Sequence, residues 1–157
     1  MDRDWSSGHP GDPAAPDGYQ LYILNHSTGA ENGISDITVP IDSLLGVFLC
    51  PSQPDLNPPP VALDFSSSAS RNYLMLHPAL QQVFFMGDGL TDGAVAQTIV
   101  APSVAERLYL GTMDGFSWNN NNGSFNVTIA PVPEPATMLL LGSGLLGLWG
   151  FRRKFKK

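Results

Sequence analysis

The chain has 157 residues, of which 43% are hydrophobic, and its formal net charge at pH 7 is −6. Residues 1–131 hold thirteen acidic residues against three arginines and no lysine, a net charge of −10. This balance excludes a nucleic-acid-binding domain, because phosphate recognition needs a basic face. Sixteen glycines and fourteen prolines favour strands and turns, so the composition predicts one β-rich domain ahead of the C-terminal tail.

The N-terminal segment, residues 1–18, is rich in glycine, proline and aspartate, and we predict an irregular arm there. A signal peptide begins with a basic segment followed by an apolar one, and residues 1–10 show neither pattern. An exported chain needs such a peptide, so for an exported protein we expect a signal peptide encoded upstream, with the chain a fragment or Met1 a misassigned start. An in-frame stop codon just before Met1 would contradict this expectation.

Short apolar segments between turn-forming residues predict the strands of a domain over residues 19–131. Leu44–Leu49 lies between Pro40 and Pro51 and has the uninterrupted apolar character of a buried strand. Ser124–Ile129 alternates polar with apolar residues, which predicts one buried and one solvated face. The other predicted strands are Tyr19–Leu24, Val61–Phe65, Gln82–Met86, Val95–Val100 and Arg107–Gly111. Short strands at this spacing predict an all-β fold, either a β-sandwich or a jelly roll.

The segments between these strands are predicted to be connections. The polar stretch 25–37 and the proline-rich stretch 51–60 are predicted loops, and Gly87–Gly93 is a turn with solvated acids. Residues 71–80 are ambiguous and include a predicted turn of helix. Cys50 is the only cysteine, and we predict a buried, inert thiol because no basic residue lies near it in the sequence.

One connection, Asp114–Ser124, is rich in oxygen donors. It holds a carboxylate, serine hydroxyls and four consecutive asparagines, with glycines near both ends. Calcium takes six to eight oxygen ligands of these kinds, so the segment is a candidate cation loop. On composition alone a plain turn is the favoured interpretation, because asparagine tolerates left-handed backbone and bonds to its own backbone.

The wider run Arg107–Ile129 resembles the end of the bacterial galactophilic calcium lectin (PA-I lectin) family. The shared pattern is a strand ending in aspartate, a short loop, two adjacent asparagines, Gly-Ser-Phe and a closing strand. The resemblance implies Ca²⁺ as cofactor, with sugar hydroxyls completing its coordination shell and a further backbone ligand on the loop after the first strand. It implies as metal ligands the Asp114 carboxylate, the Ser117 backbone carbonyl and the Asn120 and Asn121 side chains. Beside them Trp118 is a candidate platform for a sugar ring, although an aromatic that merely covers the loop is an equal alternative.

The tail, residues 132–157, combines three features. Pro133, Glu134 and Pro135 come first, residues 136–151 are uncharged and apolar, and the basic cluster Arg152, Arg153 and Lys154 follows. As a helix the apolar run would measure about 24 Å against about 30 Å of hydrocarbon, a difference that snorkelling basic side chains can bridge. We predict one C-terminal transmembrane helix over residues 136–151, with its basic end in the cytoplasm.

An ordinary tail anchor fits this segment, but the three features together at the C-terminus resemble the PEP-CTERM sorting signal. That resemblance implies export in a Gram-negative bacterium that makes exopolysaccharide, anchoring by the helix, and processing near Pro-Glu-Pro by an exosortase. The leading interpretation is a non-enzymatic surface or matrix protein with a calcium-dependent carbohydrate-binding domain that recognises polysaccharide. The alternative is a purely structural extracellular β-domain. An enzyme is disfavoured because the sequence contains no nucleophile elbow.

Overall fold

The computed structural model describes residues 16–115 and 124–132 of the chain. The chain divides into two compact units, Met1–Phe125 and Asn126–Lys157. The strands of the described residues are β1 (Tyr19–Asn25), β2 (Ile37–Ile41), β3 (Leu44–Leu49), β4 (Leu63–Asp64), β5 (Met75–Leu76), β6 (Val83–Phe85), β7 (Thr98–Ile99) and β8 (Arg107–Thr112). A 3-10 turn, Pro54–Leu56, and one helical turn, α1 (Ser68–Arg71), complete the regular structure of this part.

The strands of the described residues form three small sheets. Their orders are β1-β2-β4, β6-β3-β8 and β5-β7. The longest ladder is the antiparallel pair of β3 and β8, which runs for six residues from Leu44 opposite Thr112 to Leu49 opposite Arg107. None of these sheets closes on itself. The predicted all-β character is therefore confirmed as strand content, whereas the sandwich or jelly roll stays a prediction.

The two three-stranded sheets share one hydrophobic core. Ile37 and Val39 of β2, Leu45 of β3 and Phe85 of β6 are buried together with Phe65 and Met113. The Phe65 and Phe85 ring centroids lie 5.8 Å apart. Each fully buried aromatic or aliphatic side chain contributes about 1.5–3 kcal/mol, so this cluster is the main stabilising element of the first unit.

Gln81 ties three separate loops together beside this core. Its backbone adopts left-handed angles, with φ at 64°, and its side chain is buried. The side-chain amide donates hydrogen bonds to the carbonyl of Gly33 at 2.6 Å and to that of Pro54 at 2.7 Å. Its backbone N–H donates to the carbonyl of Phe48 at 2.9 Å. A single polar side chain therefore donates to two partly buried carbonyls in different loops, of which that of Pro54 also accepts from the Asn57 N–H at 3.3 Å.

Three strand predictions agree closely with the structure. β3 has the predicted bounds, and β1 and β8 each extend one residue beyond their predicted ends. Three further predictions, Val61–Phe65, Gln82–Met86 and Val95–Val100, contain only the short strands β4, β6 and β7. The predicted helical turn in the ambiguous stretch 71–80 corresponds to α1, which lies earlier and reaches that stretch only with its last residue, Arg71. The stretch itself contains the strand β5.

Two predictions are wrong. β2 begins at Ile37, inside the predicted loop, and runs through Pro40. Because β4 pairs only with Ile37 and Thr38, Pro40 lies beyond the end of that partner, where a missing N–H breaks no bond to β4. The predicted strand Ser124–Ile129 is absent, and its side chains Val127 and Ile129 are 37% and 60% exposed. Alternation alone does not form a strand without a ladder partner and a surface to cover its apolar face.

In residues 16–115 and 124–132, no helix has the length and apolar character needed to cross a membrane. The predicted transmembrane helix, residues 136–151, lies outside the described residues. So do Pro133, Glu134 and Pro135 and the basic residues Arg152, Arg153 and Lys154.

Candidate functional site

Asp114 is the one predicted metal ligand within the described residues, and it lies just beyond the end of β8. The ladder between β3 and β8 continues past both strands, because Met113 donates to the Ser43 carbonyl and accepts from the Asp42 N–H, each at 2.9 Å. Asp114 follows immediately and is 8% exposed. A continuous ladder therefore fixes the backbone that carries a largely buried carboxylate.

The β1–β2 loop, residues 26–36, lies directly beside Asp114. Its Ser27 N–H donates a hydrogen bond of 3.1 Å to the carbonyl of Gly115. A Cβ added at Gly115 would collide with the Leu24 side chain and would lie 3.9 Å from the backbone carbonyl oxygen of Asn25. The end of β1 thus brings one backbone carbonyl, that of Asn25, close to the residue that follows Asp114.

The start of the β1–β2 loop is fixed by Asp36 at the loop's other end. One oxygen of the Asp36 carboxylate accepts from the His26 N–H at 3.1 Å and the Ile37 N–H at 2.7 Å. The other oxygen accepts from the side-chain amide of Asn25 at 3.0 Å. A carboxylate with three donors stabilises the loop, so we assign Asp36 a structural role.

The other predicted ligands, Ser117, Asn120 and Asn121, lie outside the described residues, as does the predicted sugar platform Trp118. In the part of the chain that the structure describes, no group of three or more His, Cys, Asp or Glu side chains is arranged to hold a metal ion. Of the candidate site, the structure describes only Asp114 and the adjacent β1–β2 loop.

The acids of the turn after β6 make structural hydrogen bonds. The Asp88 carboxylate accepts from the Leu90 N–H at 2.8 Å. The Asp92 carboxylate accepts from the side chain of Asn72 at 2.8 Å, and its N–H donates to the same side chain at 3.0 Å. These bonds agree with the plain turn predicted there. Sequence reasoning missed Asp17, whose carboxylate accepts from the Asp88 N–H at 2.9 Å across a separation of 71 residues.

Asp17 is a half-buried acid in an unfavourable environment. Burial raises the pKa of its carboxyl above the ordinary value, and the charges of Asp88 and Asp92 raise it further. The hydrogen bond from the Asp88 N–H and the Arg71 guanidinium oppose this shift without cancelling it. Ionised Asp17 therefore costs stability in the folded protein.

We expect the substitution Asp17→Asn to raise the free energy of unfolding at pH 7, because it keeps an acceptor oxygen and removes the charge. The folded pKa lies above the unfolded one, so the cost of ionised Asp17 is present above the folded pKa and disappears as the pH falls through it. Urea unfolding at neutral pH and near pH 3, below the ordinary Asp pKa of about 3.9, should show the advantage shrinking with acidification. An asparagine variant less stable at pH 7 would contradict this prediction.

The environment of Cys50 differs from the prediction, because the thiol is only partly buried and a basic residue lies near it. Its sulfur lies 2.7 Å from the Ser52 hydroxyl, and Arg107 donates to the backbone carbonyls of both residues. The hydroxyl contact lowers the pKa of the thiol, and the Arg107 guanidinium contributes in the same direction. Arg107 is 57 residues away in sequence, so local sequence could not reveal it.

Comparison with protein families matched residues 131–154 to the PEP-CTERM protein-sorting motif. Comparison with curated proteins and comparison with solved structures gave no match. The matched range contains all three predicted parts of the tail, which confirms the predicted PEP-CTERM sorting signal, whereas the transmembrane helix and the lectin resemblance stay hypotheses. Residues 131–154 are thus a PEP-CTERM sorting motif, and this chain is an exported protein that an exosortase sorts.

Proposed function

We propose that the exported domain of this chain binds Ca²⁺ and, through the bound ion, the hydroxyl groups of a polysaccharide. One observation carries the proposal: Asp114 is largely buried at the end of a fixed ladder, and the next residue, Gly115, lies close to the backbone carbonyl of Asn25 at the end of β1. The role is that of a surface or matrix protein without catalysis.

The donor set suits a hard cation. Asp114 would supply a carboxylate oxygen, Ser117 a backbone carbonyl, and Asn120 and Asn121 their side-chain carbonyls. The backbone carbonyl of Asn25 is an additional candidate, since it lies against Gly115. Oxygen ligands with a single full charge match the preference of Ca²⁺ for mixed carboxylate and carbonyl shells, which water or sugar hydroxyls can complete. Trp118 would offer its ring to the apolar face of a sugar.

A metal-free structural domain is the second candidate. The composition of Asp114–Ser124 supports it, because asparagine-rich segments commonly form plain turns. The two candidates differ in their response to calcium.

The test is thermal unfolding of the full chain in detergent with and without millimolar calcium. At a hundredfold excess over Kd, binding should add about 2.7 kcal/mol to stability, which corresponds to roughly 10 °C in Tm for a domain of this size. Asp114→Ala should abolish the shift, whereas the control Asp55→Ala, at an exposed site, should retain it. A wild-type Tm that calcium leaves unchanged would rule out the metal site and favour the structural domain.

We further propose how the sorting signal acts. Residues 136–151 would anchor the exported chain in the membrane of a Gram-negative cell, with Arg152, Arg153 and Lys154 in the cytoplasm. The exosortase would process the chain near Pro133-Glu134-Pro135 and release the domain to the cell surface or an exopolysaccharide matrix. The family match to residues 131–154 supports the part of this proposal that concerns a sorting signal read by an exosortase.

A further inference from the structure

We propose that Asn32 and Gly33 form a site of spontaneous covalent modification, at which the asparagine becomes aspartate or isoaspartate, and that Gln81 controls its rate. The two residues are the only Asn-Gly pair within residues 16–115 and 124–132. Asn32 is exposed, so water reaches its side chain. The modification needs only water and does not depend on calcium or on a sugar.

The reaction uses atoms of these two residues. The Gly33 backbone nitrogen attacks Cγ of the Asn32 carboxamide, the bond from Cγ to Nδ2 breaks, and ammonia leaves with the proton of the Gly33 nitrogen. Water then opens the resulting succinimide at either carbonyl, which gives aspartate or isoaspartate. Glycine favours the attack, because no Cβ hinders the approach of its nitrogen. One water is consumed and one ammonia released, so no oxidant or reductant takes part.

The folded turn holds the reacting atoms apart. Glu31 and Ile34 exchange backbone hydrogen bonds of 3.1 and 2.8 Å, and Asn32 and Gly33 between them have φ of 51° and 75°. Two positive φ values in a two-residue hairpin loop identify a type I′ turn, in which ψ of the first residue is about +30°. At that ψ the Gly33 nitrogen lies across the Cα–C bond from Cβ of Asn32, whereas the five-membered ring needs both atoms on the same side. The turn must therefore open before the reaction proceeds.

Gln81 keeps this turn closed from outside the loop. Its side-chain amide donates to the Gly33 carbonyl at 2.6 Å and to the Pro54 carbonyl at 2.7 Å. A Cβ added at Gly33 would collide with the Pro54 carbonyl, so the Gly33 backbone packs directly against that segment. Gln81 is buried, and its own carbonyl accepts from the Ser35 N–H at 2.9 Å. Opening of the turn therefore requires the loss of a bond to a fixed, buried side chain.

The product does not fit the closed turn. Isoaspartate adds one carbon atom to the backbone between Glu31 and Ile34, so the two backbone bonds of the hairpin cannot both be kept. Either product also places a new carboxylate beside Glu31, in a part of the chain, residues 1–131, that already carries a net charge of −10. Because ammonia is lost, the change is irreversible. The site therefore acts as a clock that loosens the β1–β2 loop as the exported domain ages.

The experiment follows Asn32 in the purified full chain in detergent during incubation at mildly alkaline pH, where the attacking nitrogen loses its proton more readily. Peptide mapping by mass spectrometry separates Asn32 from Asn122, the other asparagine that precedes a glycine, and enzymatic isoaspartate labelling identifies the product. Each chain is measured folded and in denaturing urea. Gln81→Ala removes the bond to Gly33, whereas the control Val39→Ala, in the core of β2, lowers stability and leaves the bonds of the turn in place.

In urea all three chains should be modified at Asn32 at the same rate, because the turn is absent. Folded wild type should react at least about a hundredfold more slowly than in urea. Folded Gln81→Ala should react about tenfold faster than folded wild type, the effect of one lost hydrogen bond to a carbonyl, and Val39→Ala should stay near the wild-type rate. Equal rates for folded and unfolded wild type would overturn the inference, even if the Gln81→Ala variant does not fold. So would a folded Gln81→Ala that reacts no faster than wild type, or an equal gain in Val39→Ala, because modification would then follow global unfolding.

Discussion

Replacing Pro133, Glu134 and Pro135 by alanines is expected to abolish processing of the chain in the organism that encodes it. The motif match spans these residues, and a Pro-Glu-Pro segment is stiff because each proline fixes its own φ and restricts the residue before it. An enzyme that recognises this extended segment loses both its shape and its charge in the variant. The apolar run 136–151 is unchanged, so the variant should remain in the membrane fraction.

Fractionation followed by mass spectrometry of the C-terminus checks this prediction. The wild type should yield a form that lacks the tail, and the variant only the form that retains it. Pro59→Ala, in the exposed proline-rich loop, is the matched control and should be processed normally. Equal processing of the triple variant and the wild type would show that the exosortase does not read Pro-Glu-Pro.

Gln81→Ala is expected to lower the free energy of unfolding by roughly 3 kcal/mol, because the Gly33 carbonyl loses its donor at about 1–3 kcal/mol, the Pro54 carbonyl keeps only the Asn57 N–H, and the buried side chain loses its packing. The affected carbonyls are those of Gly33 and Pro54. Domains of this size have only about 5–15 kcal/mol of stability, so the variant should be close to unfolding at elevated temperature.

Urea unfolding at neutral pH measures the difference. Gln53→Ala is the control, since Gln53 is exposed and its side chain makes no capping bond, so a change within about 0.5 kcal/mol is expected. A loss below about 1 kcal/mol in Gln81→Ala would mean that water replaces the amide at both carbonyls.

The sequence predicted the parts of the fold that are determined locally. Leu44–Leu49 is an uninterrupted apolar run between prolines, and such a run has few alternatives to a buried strand. β2 was missed because a proline inside a segment argues against a strand. Pro40 is tolerated here because β4 ends opposite Thr38, and the sequence does not show where β4 ends. The alternation of polar and apolar residues in Ser124–Ile129 led to a wrong strand prediction, because such a pattern does not by itself provide a partner strand.

The functional features likewise divide into those that local sequence reveals and those that depend on contacts between distant residues. The sorting motif was predictable because its three parts are contiguous, and the family match confirms it. Asp114 was singled out by a local pattern and lies just beyond the end of β8, but its environment depends on contacts distant in sequence. The Ser27 bond to Gly115 and the Asp17 bond to Asp88 join residues that no local pattern connects.

The central claim is that this acidic β-rich domain leaves the cell and that its C-terminal signal is removed by an exosortase. The most direct test is the intact mass of the chain isolated from cells that produce it, measured separately for the extracellular, membrane and cytosolic fractions. The account predicts an extracellular or surface form whose C-terminus lies near Pro133-Glu134-Pro135. A full-length chain, with Lys157 retained, found only in the cytosolic fraction would contradict it.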